Sequence, residues 1–96
     1  MNLQELEAVV VDVGREVQEI SGRKWNGVGA DVKPIGDLDG FDSLTGVEAT
    51  VMIEKKLDCE LRVDSVFISS DGNRSLTTLE IAEHLAALLE GTGCKQ

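Results

Sequence analysis

The amino-acid sequence predicts an all-α protein: a small antiparallel four-helix bundle of three longer helices and one short helix, with a long first loop. Three observations carry that expectation. Apolar residues recur at helical spacing over three stretches, no strand-like alternation runs longer than Glu60-Leu61-Arg62-Val63, and 96 residues leave room for one hydrophobic core. Residues 1–96 therefore read as a single domain. A domain of this size buries roughly 60–65% of its unfolded surface, enough for a core without staples. An apolar content of 42% with 28% charged residues sits well clear of the disordered regime.

The first helix is carried by Leu3, Leu6, Val10, Val13, Val17 and Ile20, which fall 3, 4, 3, 4 and 3 residues apart and so share one face. Glu5, Asp12, Arg15, Glu16 and Glu19 fall mostly off it, and Ser21-Gly22 stops it. The run Val9-Val10-Val11 lowers helix propensity slightly, but the periodicity outweighs it. Residues 21–40 follow as a long loop with five glycines, Pro34 and several aspartates. Trp25, Val28, Val32, Ile35 and Leu38 are the side chains expected to pin it to the core. Structureless loops of that length are uncommon in compact domains and are usually functional or mobile.

A second helix is expected over 43–57, its first turn capped by Asp42 or Ser43. Leu44, Val47, Val51, Met52, Ile53 and Leu57 form a broad apolar stripe on it, which implies packing on more than one neighbour. One or two helical turns are expected over 63–68, started by Asp64-Ser65, and then a turn at Asp71-Gly72-Asn73. The last helix is expected over 75–89, with Ser75 as its N-cap. Leu76, Leu79, Ala82, Leu85 and Leu89 share one face, and Gly91 and Gly93 end it.

Eighteen acidic residues against nine basic ones give a net charge of −9. Phosphate backbones repel such a field, which excludes nucleic acid as a direct partner, whereas basic protein surfaces are drawn to it. The opening MNLQELEAVVVDVGREV has neither the positive start nor the continuous apolar run of an export signal. No apolar run approaches the ~20 residues of a membrane span. A cytoplasmic monomer is expected. Cys59 and Cys94 fit no metal spacing, and in that compartment one semi-buried thiol and one free thiol are expected rather than a disulfide. Asp31, Asp37, Asp39 and Asp42 do not follow the spacing of a Ca²⁺ loop and read as solvated carboxylates, so no metal site is expected.

The stretch that bears on function is Gly40-Phe41-Asp42-Ser43-Leu44-Thr45-Gly46-Val47-Glu48. A serine at a helix start is exposed, and an anion attached to it sits where free N–H groups and the positive dipole end favour negative charge. Taken alone, Asp42-Ser43 also reads as a plain N-cap. A nucleophilic enzyme role for Ser43 has less behind it. The Gly-x-Ser-x-Gly elbow is missing, and the single histidine, His84, lies among apolar residues of the last helix. No catalytic residue is assigned.

With Gly40-Phe41 before it and Val47, Glu48, Met52, Ile53, Glu54 and Asp58 after it, Asp42-Ser43-Leu44 resembles the attachment site of the acyl carrier proteins, a family that includes the carrier domains of polyketide and nonribosomal peptide synthetases. The helix order is similar to theirs over nearly the whole chain, although outside 40–61 only the apolar pattern matches. The resemblance implies an acyl-carrier-like fold and a covalent substrate carrier rather than an enzyme. It implies that Ser43 receives a 4′-phosphopantetheine arm from coenzyme A through a separate phosphopantetheinyl transferase. Asp42 then contacts that transferase or its metal, and Leu44 lies next to the attachment point. Acyl groups for fatty-acid, polyketide or related biosynthesis ride on such an arm as thioesters.

The same resemblance implies that Glu48, and with it Glu54, docks on basic surfaces of acyl-processing or acyl-transfer enzymes. Leu44 and Val47 would form the apolar part of that contact, and a purely apolar interface would centre on Leu44 and Phe41. Thr45 stands where fatty-acid carriers commonly have an acid, and Lys55-Lys56 replace acids near the helix end, which implies a specialised carrier. The alternatives are a peptidyl or aminoacyl carrier of a nonribosomal pathway and an unmodified carrier-like protein-binding module.

Overall fold

The computed structural model describes residues 2–22, 32–38, 40–69 and 71–92 of the chain. Four helices follow one another: α1 (Leu3–Ile20), α2 (Pro34–Asp37), α3 (Ser43–Leu57) and α4 (Thr78–Thr92). Among the described residues there is no strand, only an isolated antiparallel bridge between Ile68 and Ser75. The protein is all-helical, as its sequence predicts, with three longer helices and one short one. No helix among the described residues is long and apolar enough to cross a membrane.

α1 starts on a reciprocal cap. The Glu5 N–H donates to the Asn2 side chain at 2.8 Å, and the Asn2 N–H donates to the Glu5 carboxylate at 3.0 Å. Its expected stripe is buried in the middle, at Leu6, Val10, Val13 and Val17, and open at both ends, with Leu3 40% and Ile20 77% exposed. α1 packs against both α3 and α4. Ala49, Ile53 and Leu57 of α3 and Ile81, Ala82 and Leu85 of α4 complete the core with Leu61, Val66 and Phe67. Burial of each large aliphatic or aromatic side chain stabilises the fold by about 1.5–3 kcal/mol.

The short helix lies elsewhere than expected. It is α2, a single turn within the 21–40 stretch, opened by Pro34, whose fixed φ and missing N–H suit a first helical position. Ile35 and Gly36 already depart from helical angles, Gly36 at φ 113°. No helix forms over 63–68. Val66 and Phe67 are adjacent and both fully buried, so the chain there is enclosed on opposite sides rather than on one helical face. The Val66 N–H donates to the Thr50 hydroxyl at 3.0 Å, the Phe67 N–H to Ser65 Oγ at 3.1 Å, and the Leu76 N–H to the Phe67 carbonyl at 2.9 Å. These bonds take the backbone groups that a helix would have paired internally.

α4 starts at Thr78, not at Ser75. Ser75 is held in the bridge with Ile68, and the capping role falls to Thr77. The Glu80 N–H donates to Thr77 Oγ1 at 3.2 Å, and the Thr77 N–H donates to the Glu80 carboxylate at 3.0 Å. The helix runs through Gly91 to Thr92, and Gly93 lies outside the described residues. Both the N–H and the hydroxyl of Thr78 donate to the Val32 carbonyl, at 2.8 and 3.1 Å, which fastens the end of the long loop to the start of α4. Leu38 is buried and Ile35 packs on the core as expected, whereas Trp25, Val28, Asp31 and Asp39 lie outside the described residues.

Cys59 corrects a further expectation. It is buried and disulfide-bonded rather than a thiol. The expectation weighed compartment, but pairing is decided by distance in the fold, which separation along the chain does not reveal. Cys94, the chain's other cysteine, lies outside the described residues.

Candidate functional site

The chain enters α3 through a tight corner at Gly40, whose φ of 71° lies in the left-handed region that glycine adopts at little cost. Phe41 follows and turns inward. It is 3% exposed, with its ring 5.2 Å from that of Phe67 and tilted by 51°. Phe41 is therefore part of the core and not of an exposed apolar interface. With Phe41 fixed below, Asp42, Ser43 and Leu44 are left on the outside.

Asp42, not Ser43, is the N-cap. Its carboxylate accepts the Thr45 N–H at 2.9 Å and the Thr45 hydroxyl at 3.0 Å, and its carbonyl accepts the Gly46 N–H at 3.0 Å. The Thr45 N–H, with the Thr45 hydroxyl adding to it, holds the Asp42 carboxyl below its ordinary value of 3.8. Ser43 is the first residue of α3 and is exposed. Its hydroxyl is not used by the cap. The first-turn amides of a helix have no intrahelical acceptor, and the dipole there is positive. A phosphodiester on Ser43 Oγ fits this position, since Leu44 beside it is 67% exposed and the neighbouring carboxylate is engaged by Thr45.

The buried face of α3 is narrower than the expected stripe. It consists of Gly46, Ala49, Thr50, Ile53 and Leu57, while Leu44 and Val51 point outward, Val51 at 44% exposure. The reason is close packing at small residues. A Cβ on Gly46 would lie 3.1 Å from both Ile35 Cδ1 and Ser65 Oγ, so α2 and the 59–76 connection reach the helix backbone one turn beyond Ser43. The Thr50 hydroxyl donates to the Gly46 carbonyl at 2.7 Å while accepting from Val66. Gly46 costs about 1 kcal/mol of helix propensity against Ala, and this contact is what occupies the space gained.

The predicted site residues separate into two groups. Ser43, Leu44, Val47 and Glu48 lie together on the first turns of α3, with Leu44 and Glu48 exposed and Val47 half-buried. Val51 extends the apolar row, three and four residues on from its neighbours. Glu54 stands apart: its carboxylate accepts the Leu61 N–H at 2.8 Å, which ties down the chain beyond the helix. Lys55 and Lys56 are exposed in the last turn, where cations suit the negative end of the dipole, and Asp58 closes the helix in the left-handed conformation at φ 52°. Asp37 accepts the Lys33 N–H at 2.8 Å, and among the described residues no three potential ligands group closely enough to hold a metal ion. Sequence reasoning missed the structural roles of Gly46 and Thr50. A glycine one turn into an otherwise well-formed helix was the available signal for the first.

Comparison of the chain with protein-family models, with curated proteins and with solved structures finds no match.

Proposed function

We propose that this protein is an acyl carrier whose Ser43 bears 4′-phosphopantetheine. The observation that carries the reading is the exposed Ser43 hydroxyl at the first position of α3, next to a capping Asp42 and above a buried Phe41. In the attachment step Ser43 Oγ forms a bond to the pantetheine-side phosphorus of coenzyme A. The pyrophosphate P–O bond breaks, adenosine bisphosphate leaves, and the serine proton passes to a base of the transferase. Once attached, the arm supplies a terminal thiol that holds acyl groups as thioesters.

This chain's own residues hold and present. Asp42 fixes the first turn, the helix start favours the phosphate charge, and the Leu44–Val47–Val51 row with Glu48 offers partner enzymes an apolar strip beside a carboxylate. An acyl-carrier-like arrangement of the four helices and a specialised rather than general fatty-acid pathway go with this reading. So does a cytoplasmic setting, although structural disulfides such as that at Cys59 are rare there.

The test is the intact mass of the purified chain after incubation with coenzyme A, Mg²⁺ and a broad-specificity phosphopantetheinyl transferase. A gain of one phosphopantetheine that maps to Ser43 and vanishes in Ser43→Ala is expected. No gain with that enzyme or with the host's own transferase would refute the carrier role and favour an unmodified binding module.

A further inference from the structure

Asp42 is held more firmly than capping requires. An N-cap side chain needs one bond, from an N–H in the first turn, and the Thr45 N–H supplies it at 2.9 Å. Thr45 adds a second donor, because its hydroxyl lies 3.0 Å from Asp42 Oδ1, the oxygen that the N–H also reaches. The same hydroxyl stands 3.5 Å from the Gly40 carbonyl. It has one proton to give, and the nearer, charged oxygen is the better acceptor.

Both bonds fall on Oδ1, so Oδ2 of this exposed carboxylate stays available to an outside partner. A single bond would let the carboxylate pivot, whereas two donors from one residue limit that freedom. Thr45 is itself a steady support: it is half-buried in the first turn of α3, and its branched side chain has few rotamers there.

Reaction at Ser43 brings cations to this place. The pyrophosphate of coenzyme A carries negative charge that the transferase must neutralise with a divalent metal or basic side chains. Ser43 adjoins Asp42 in the chain, so those cations arrive beside Oδ2. A carboxylate already held in place meets them without first losing conformational freedom.

We propose that Thr45 is a positioning residue for the attachment reaction: its hydroxyl holds Asp42 Oδ1 so that Oδ2 meets a cation of the transferase while Ser43 reacts. The proposal rests on the carrier reading and deepens it.

Thr45→Val keeps the capping N–H and the branched shape and removes the hydroxyl, and Thr45→Ser restores the hydroxyl. NMR titration of the Asp42 carboxyl in the full chain reads the hydrogen bond with no transferase present. The Thr45 N–H and then the Thr45 hydroxyl lower that pKa, so it should rise in Thr45→Val and return in Thr45→Ser. The rate of mass gain with coenzyme A, Mg²⁺ and a broad-specificity transferase reads the reaction. Its kcat/KM should fall about fivefold in Thr45→Val, the worth of one ordinary hydrogen bond, and recover in Thr45→Ser. In an Asp42→Ser background, which keeps a good cap but no carboxylate, Thr45→Val should change nothing. A rise in the Mg²⁺ concentration for half-maximal rate identifies the cation as the metal, and a rise in KM for the chain at unchanged Mg²⁺ dependence identifies a basic side chain. An unmoved Asp42 titration, an unchanged kcat/KM in Thr45→Val, an equal loss in the Asp42→Ser background, or a loss that Thr45→Ser does not relieve would overturn the proposal. Each of these leaves the carrier reading standing, because the parent chain still gains mass at Ser43. No gain in the parent chain overturns both.

Discussion

Replacing Thr50 by Val probes the joint that holds the connection before α4 against α3. The two side chains have nearly the same shape, so the change swaps a hydroxyl for a methyl in a site 1% exposed. Two hydrogen bonds disappear, and they are unequal. The Gly46 carbonyl keeps its place in the helix ladder, but the Val66 N–H loses the 3.0 Å acceptor it has in a fully buried residue. Leaving a buried donor unpaired costs about 1–3 kcal/mol, and the added methyl offsets less than 1 kcal/mol of that. A net loss of about 1–2 kcal/mol follows, which for a domain this small lowers Tm by about 4–8 °C per kcal/mol.

Thr50→Ser is the control. It keeps the hydroxyl and removes one buried methyl, so it should cost about 1 kcal/mol through packing alone. The two variants separate in native-state hydrogen exchange: protection of the Val66 amide should collapse selectively in Thr50→Val and survive in Thr50→Ser. A Thr50→Val protein as stable as the parent, with Val66 still protected, would refute the assignment of Thr50 as the anchor.

Gly46→Ala gains about 1 kcal/mol of helix propensity but forces a Cβ to 3.1 Å from Ile35 Cδ1 and from a Ser65 Oγ already bonded to Phe67, so urea denaturation should show a net loss of about 1 kcal/mol. Thr77→Ala breaks the cap of α4 and should cost about 1 kcal/mol by the same assay, whereas Ser75→Ala should cost less. Ser43→Ala should leave stability within about 0.5 kcal/mol while abolishing the mass gain, and joint loss of both would mean that the serine is structural. Asp42, Asp71 and Glu80 are held below their ordinary values, chiefly by the Thr45 N–H, the Ser69 hydroxyl and the Thr77 N–H respectively. Their folded pKa values lie below the unfolded ones, so their contribution is complete above the unfolded values and is lost as pH falls through the folded ones. Tm should be flat from neutrality to about pH 5 and fall below about pH 4, with part of the fall removed in Asp42→Asn; a Tm that rises on acidification would contradict this.

α1 and α3 were legible in the sequence because apolar spacing was joined by a second signal in each, the Ser21-Gly22 stop after α1 and the Asp42-Ser43 cap before α3. The span expected for the second helix coincides with Ser43–Leu57. The buried face of α3 was misread because Gly46, Ala49 and Thr50 carry little apolar weight in a pattern, although small residues are what permit close approach. Val66-Phe67 was misread for a different reason. A short apolar run does not distinguish a helical turn from an enclosed irregular segment, and the bonds that decide the matter come from Thr50 and Leu76. The cap of α4 was legible in Thr77-Thr78-Leu79-Glu80, but Ser75 drew the N-cap two residues early. Of the site, the exposed serine and its acidic cap could be read locally.

The position of α1 between α3 and α4 has a consequence for the order of events during synthesis. α1 is translated first, yet part of its buried stripe has no cover until Thr78–Thr92 has emerged. Closing the intervening span costs entropy that grows only slowly with its length, so the delay is set by translation at about 5–20 residues per second. For a period on the order of seconds the nascent chain carries Leu6, Val10, Val13 and Val17 without a complete core, a natural client for chaperones. The exposed start of α3 at Ser43 has by then left the ribosome, so other macromolecules meet that helix before the interior has closed.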